Sequence, residues 1–149
     1  MKLFVAADHN GFRFKEQVLR YLGERGLEFE DVSGEYNPDD DFPVLVRVAM
    51  MEVLASNDED PRAILICASG QGVCMAANRF KGIRAALAWR PEEARASRND
   101  EDSNVLCLPA IYLADKETIW KDVIDTWCKT PFAAAARYVR RNAQLDELL

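Results

Sequence analysis

A single histidine, His9, stands in a chain of 149 residues, and the four cysteines, Cys67, Cys74, Cys107 and Cys128, form no C-x-x-C pair. Such a set is a poor source of zinc ligands, so no metal site is expected. No apolar run approaches the ~20 residues of a membrane-spanning helix. The opening residues MKLFVAADHN carry an apolar patch too short for a signal peptide, with no small-residue cleavage pattern after it. The expectation is a cytoplasmic protein, and in that compartment a disulfide framework is disfavoured. Positive charge is scarce as well. Lysine and arginine number 19 against 25 acidic residues, a net charge of −6. A nucleic-acid backbone is a poor partner for such a chain. No internal repeat, low-complexity segment or linker interrupts it, so residues 1–149 are expected to form one domain.

What is present is ordinary for a globular protein: 49% hydrophobic and 30% charged residues. The most informative stretch is Ala63–Asn78, AILICASGQGVCMAAN. An apolar run ends in a thiol, Cys67, and Ala68, Ser69, Gly70, Gln71 and Gly72 follow before a helical pattern begins near Val73. Apolar residues ahead of a Gly-containing turn predict a fully buried, parallel-type strand. The turn feeds a helix whose first N–H groups lack partners in the helix and, with the helix dipole, favour an anion. Thiols beside such groups ionise more readily than free ones. Cys67 is therefore either an inert core thiol at a strand end or a base beside an anion hole.

The rest of the chain alternates strand and helix. Strands are expected at Lys2–Ala7, Leu27–Val32, Ala63–Cys67, Ile83–Ala88 and Val105–Leu108. Helices are expected at Phe12–Leu22, from Asp41 to about Ala55, from Val73, at Pro91–Arg98, at Lys116–Trp127 and from Phe132 to the C-terminus. In the second helix, Val44, Val48, Met51 and Leu54 are expected to face inward. Ser33–Asp41 reads as a polar loop and Asn99–Asn104 as an acidic one. The alternation predicts an α/β fold, a three-layer Rossmann-like domain with a five-stranded parallel sheet flanked by helices, in the common order 2-1-3-4-5. Ligands then bind at the carboxyl ends of the strands. Asp8 and His9 would lie there beside the Cys67 loop. The acidic loop precedes its strand and needs another route to the site, such as a neighbouring subunit.

Several pieces together resemble the ribose-5-phosphate isomerase B family, which includes the subunits of galactose-6-phosphate isomerase. They are Asp8-His9-x-Gly11, Asp41-Phe42-Pro43, ILICASGQG with Ala76-Ala77-Asn78, GIRAAL at Gly82–Leu87, Ser97-Arg98, Asn104-Val105-Leu106, and Arg137 with Arg140-Arg141. The resemblance implies aldose–ketose isomerisation through a cis-enediolate, without metal or organic cofactor. It implies that Cys67 moves a proton between C1 and C2, and that Ser69 moves one between O1 and O2. Main-chain N–H groups of Ser69–Val73 would hold the enediolate, and Ala68, Gly70, Gln71 and Gly72 would bind substrate. Asp8 and His9 would contact the sugar or its phosphate. Arg137 and Arg141, on one helix face, match phosphate ligands; by themselves they read equally as exposed helix charges. The family's sites form between subunits, so a homodimer or dimer of dimers is implied, with the C-terminal helix packing on the partner.

Four positions depart from the pattern. The ring-opening histidine falls on Asp100 and the asparagine after it on Glu101, which otherwise read as a solvated acidic loop. A phosphate-binding arginine becomes Ile111, and a histidine becomes Tyr138. Phe42 also replaces a tyrosine. Aspartate is a weaker proton donor than histidine at neutral pH. An enzyme of this kind would suit a substrate that needs no ring opening: a tetrose 4-phosphate, or an open-chain or non-phosphorylated sugar. Three alternatives stand beside this reading. A non-catalytic sugar-phosphate-binding subunit is disfavoured by the retained Cys67 loop. A cysteine phosphatase would want arginine where Val73 stands. A nucleotide-binding domain would need glycine or lysine spacings that this loop lacks.

Overall fold

The computed structural model describes residues 1–148. Its centre is β3 (Pro61–Cys67), a strand whose residues from Arg62 to Cys67 are all buried. It pairs in parallel with β1 (Lys2–Ala7) on one side and β5 (Val105–Pro109) on the other. The short strands β2 (Glu28–Asp31) and β4 (Ala85–Leu87) form the two edges, so the sheet order is β2-β1-β3-β5-β4. The order expected from the sequence, 2-1-3-4-5, is thus corrected on one side: β5 lies inside and β4 outside. Burial explains the exchange. All five residues of β5 are buried, whereas the three of β4 are only partly covered. An interior position rewards the strand that is apolar on both faces.

Successive residues of the central strands feed two cores. Leu3, Val5, Ile64, Ile66, Leu106 and Leu108 face one layer, against α1 (Phe12–Glu24) and α6 (Glu117–Lys129). Phe4, Ala6, Leu65, Cys67, Val105 and Cys107 face the other, against α2 (Phe42–Ala55) and α3 (Gln71–Ala77). This is the period-two alternation of a strand read twice.

Three helical expectations change. In α2 the buried residues are Val46, Ala49, Met50 and Val53. Val44, Val48, Met51 and Leu54, expected inward, are exposed, Met51 at 60%. The helix is apolar on both faces, so periodicity had nothing to choose between, and the sheet takes one face only. The helix α4 (Pro91–Glu101) continues past Arg98 through Asp100 and Glu101 and ends at Asp102, in the left-handed conformation with φ 48°. A one-turn helix, α5 (Ala110–Leu113), follows β5, and α7 (Ala136–Asp146) begins later than expected. Residues 131–135 precede it without helical structure, Ala134 having φ 51°.

Candidate active site

The carboxyl ends of β1 and β3 lie side by side because these strands are direct neighbours, with Ala7 paired to Ile66. Two sequence segments meet there. After β1 the chain turns at Asp8, whose N–H donates to Ile66 O at 3.3 Å. Gly11 then passes so close that a Cβ at this position would lie 2.6 Å from Ile66 O. Glycine is the residue that permits that approach.

After β3 the chain turns at residues 68–70 into α3. Gly70 adopts φ 73°, and an added Cβ would meet Leu87 Cδ1 at 2.4 Å and Pro109 N at 3.2 Å. Two separate constraints therefore demand glycine. The turn brings the Gly70 N–H to Cys67 Sγ at 3.2 Å. Cys67 is 6% exposed and packs in the core on the α2 and α3 side of the sheet. The Gln71 N–H reaches back to Ser69 Oγ at 3.4 Å. Ser69 and Gln71 themselves line a cavity of about 580 Å³ with Trp89, Arg90, Tyr112 and Lys116. The Phe42 ring rests on Gly72, where a Cβ would come within 2.8 Å of it.

The other thiols differ from Cys67 in setting. Burial pushes Cys107 well above the ordinary thiol range and Cys128 up to about 11. Cys74 is lowered by a hydrogen bond from Cys107, against the effect of its own burial. Cys74 Sγ lies 3.4 Å from Ala85 O. These three are packing residues away from the strand tip, as expected from the sequence.

Asp8 is 7% exposed, and its Oδ1 accepts the Gly11 N–H at 3.0 Å. Burial raises its carboxyl above the ordinary range, only partly offset by that hydrogen bond. His9 is more open. Its Nδ1 lies 2.7 Å from Asp40 Oδ1, and its Nε2 lies 2.9 Å from the Asn10 side-chain amide. The Asp40 contact raises the imidazole above the ordinary histidine value. Asp40 is the residue that sequence reasoning missed. It sat in a run of three aspartates within a loop, and only its pairing with the lone histidine distinguishes it.

Asp100, Glu101, Arg137 and Arg141 do not join this cluster within the chain. Arg84, just before β4, donates to the carbonyls of Glu101 and Asp102 at 2.8 Å and 3.2 Å. Asp146 of α7 accepts the Gly82 N–H at 2.9 Å. Both contacts are at the starting ends of the strands, whereas Cys67 is at the finishing end. β5 alone separates the two ends by about 13 Å. Asp100 Oδ1 accepts the Asn99 amide at 2.7 Å. The Arg137 guanidinium lies 4.8 Å over the Tyr138 ring and donates to its hydroxyl at 3.1 Å. Both arginines are exposed.

The arrangement therefore has two parts. One end of the sheet presents a thiol, a hydroxyl, main-chain amides, a buried carboxylate and an imidazole. The other holds the Glu101 end of α4 and the Asp146 end of α7, and Arg137 and Arg141 are exposed along α7. No helix among the described residues is long and apolar enough to cross a membrane.

Known proteins resemble this chain over almost its full length. The probable ribose-5-phosphate isomerase B of Mycoplasma genitalium is 34% identical over 148 residues, which covers 99% of this chain and 93% of that protein. Among solved structures, ribose-5-phosphate isomerase B of Clostridium thermocellum superposes with a TM-score of 0.91 at 31% identity, covering 99% of this chain and 97% of that one. The Thermotoga maritima ribose 5-phosphate isomerase gives 0.89 at 37% identity, covering 98% and 97%. The M. genitalium enzyme, solved with bound ribulose-5-phosphate, gives 0.87 at 30%, covering 99% and 95%. The sequence profile of the Ribose/Galactose Isomerase family matches residues 3–145, and the chain belongs to that family.

Proposed function

We propose that this protein is a cofactor-independent aldose–ketose isomerase of a small sugar phosphate, of the ribose 5-phosphate/ribulose 5-phosphate type. The Cys67 thiolate takes the C2 proton of the aldose and returns it to C1. Ser69 carries a proton from O2 to O1. The enediolate formed between these steps is held by main-chain N–H groups of Ser69–Val73, which act where negative charge develops. Asp8 and His9 bind sugar oxygens. The observation that carries this reading is Cys67 at the tip of β3, in hydrogen-bond contact with Gly70 and next to the turn at Asp8 on the neighbouring strand.

The working unit in this reading is a homodimer, with a dimer of dimers as its larger form. The partner supplies Asp100, Glu101, Arg137 and Arg141, which one chain carries at the wrong end of its own sheet. Arginine pairs can grip phosphate with parallel hydrogen bonds. An apolar surface supports the assembly: Val44, Val48, Met51 and Leu54 of α2 are exposed, as are Met75, Val139 and Leu145. Four exposed apolar residues on one helix are more than scattered surface residues account for, and such area is characteristic of protein interfaces. A cytoplasmic location and a single domain over residues 1–149 belong to the same reading.

Asp100 favours a second substrate. A carboxylate at this position is a weak proton donor for opening a furanose, which suits a tetrose 4-phosphate whose ring-closing oxygen carries the phosphate. Proton exchange at C1 and C2 in deuterated water, with ribose 5-phosphate and erythrose 4-phosphate compared, separates the two. Ribose 5-phosphate turnover at ~1–1000 per second favours the first, and turnover of the tetrose alone favours the second. Binding without exchange on any sugar would make the chain a non-catalytic subunit. Exchange that survives Cys67→Ala would remove Cys67 as the base.

A further inference from the structure

We propose that Asp40 is the positioning residue of His9, holding the imidazole so that a protonated Nε2 donates a hydrogen bond to a substrate oxygen. The inference rests on the isomerase reading and adds a residue to that site.

One carboxylate oxygen does two things. Asp40 Oδ1 accepts the His9 main-chain N–H at 3.1 Å and lies 2.7 Å from His9 Nδ1. Together these fix the backbone and the ring of the same residue. With Nδ1–H committed to Asp40, the remaining nitrogen is Nε2, and it is turned away from Asp40.

The loop that carries Asp40 is anchored at its root. Lys15, 1% exposed, sends its ammonium group to Asp31 Oδ2 at 2.7 Å, Ser33 Oγ at 3.0 Å and Gly34 O at 2.8 Å. Ser33 Oγ also accepts the Ala7 N–H at 3.1 Å, at the end of β1. Further along, the Tyr36 ring meets Phe12 edge to face at 5.5 Å. The loop that carries Asp40 is thus tied at its root to the strand that carries His9.

Nε2 faces a polar partner already. The Asn10 amide lies 2.9 Å from it on an exposed side chain. The atom there is the amide nitrogen, a donor, which fits the neutral ring with Nε2 accepting; when Nε2 is protonated the exposed amide turns its oxygen to it or leaves the place to a ligand oxygen. The surrounding cavity, of about 490 Å³, is lined by His9, Asn10, Phe12, Arg13, Glu16 and Tyr36. The charged groups facing the ring are Asp8 and Asp40, with Arg13 and Glu16 from α1. Asp40 and Asp8 are the charges that act on the ring, and both favour the imidazolium. The largest single effect is the Asp40 hydrogen bond, which raises His9, and partial burial works in the opposite direction. A charged Nε2–H can only donate, so its partner is a hydroxyl, carbonyl or phosphate oxygen of the sugar phosphate.

His9 is the only histidine, so its ring protons give one unambiguous NMR titration. The expected result is a lower midpoint in Asp40→Asn than in the wild type, with Asp40→Glu retaining part of the difference. In steady state, wild-type kcat/KM falls as pH rises through the His9 midpoint. That limb moves to lower pH in Asp40→Asn. Above the midpoint the loss falls on KM, about tenfold, with kcat little changed. An unmoved midpoint overturns the pairing. A moved midpoint with an unmoved kinetic limb overturns the contact with substrate. If the wild type isomerises neither erythrose 4-phosphate nor ribose 5-phosphate, the isomerase reading fails on its own. Adding ribose 5-phosphate then still tests the contact: a shifted His9 resonance upholds it, and an unmoved one overturns it.

Discussion

Gly70 donates its main-chain N–H to the sulfur of Cys67 at 3.2 Å, three residues back along the chain. The bond exists because Gly70 turns with φ 73° and has no side chain to strike Leu87 or Pro109. Gly70→Ala removes both conditions. It is expected to lower stability by about 1–3 kcal/mol, read by urea unfolding. Isomerisation should fall further than the lost stability accounts for, because the sulfur and the amides move together. Unchanged activity in a folded Gly70→Ala protein would detach the turn from the chemistry.

Asp8 is a site residue that burial makes costly. Its carboxyl is raised by burial, so the folded state disfavours the ionised form. A raised carboxyl penalises folding at pH values above its titration range and costs nothing well below the usual carboxylate value of 3.8. Asp8→Asn keeps an oxygen for the Gly11 N–H. It is expected to raise the melting temperature at neutral pH, with the difference vanishing in acid, while lowering kcat/KM. Thermal melts across pH check the first part. A variant less stable than wild type at neutral pH would contradict it.

The exposed stripe on α2 leads to a test of assembly. Val48→Asp and Met51→Asp change residues that the lone chain leaves in solvent, so the fold should survive in each. A charge in a subunit interface must be desolvated, which typically costs several kcal/mol. Sedimentation equilibrium is expected to show dimer for the wild type and monomer for the double variant. Activity should vanish with the dimer. A double variant that remains dimeric would move the interface elsewhere.

Shared sites make a complementation prediction. Cys67→Ala and Arg141→Ala should each be inactive alone. Mixed, unfolded together and refolded, they should recover about a quarter of the wild-type sites, because half of the dimers are mixed and one site in each is intact. No recovery would mean that thiol and arginine act within one chain, and an Arg141→Ala protein active on its own would remove Arg141 from the site.

The helix that misled the sequence reading shows what pattern alone can do. Strands β1, β3 and β5 were legible because apolar runs of that length, bounded by turn residues, have few other uses. The Cys67 loop was legible because its glycines mark positions where only glycine fits, and Gly70 bears this out twice over. In α2, by contrast, apolar residues cover both faces, and which face met the sheet depended on where the helix packed. The place of β4 was hidden for a related reason: three residues do not carry enough pattern to tell an edge from an interior strand.

The amino-acid sequence by itself determined the alternating strands and helices, the thiol followed by its glycine turn, and the absence of metal-ligand spacing. These are local properties, set by side-chain type and spacing over a few residues. Only the tertiary structure decided that β5 lies beside β3, that Asp40 holds His9 across 31 residues, and that the end of α4 lies against Arg84, at the opposite end of the sheet from Cys67. Those are contacts between distant segments. They depend on which apolar surfaces cover one another, and no short window of residues records that choice.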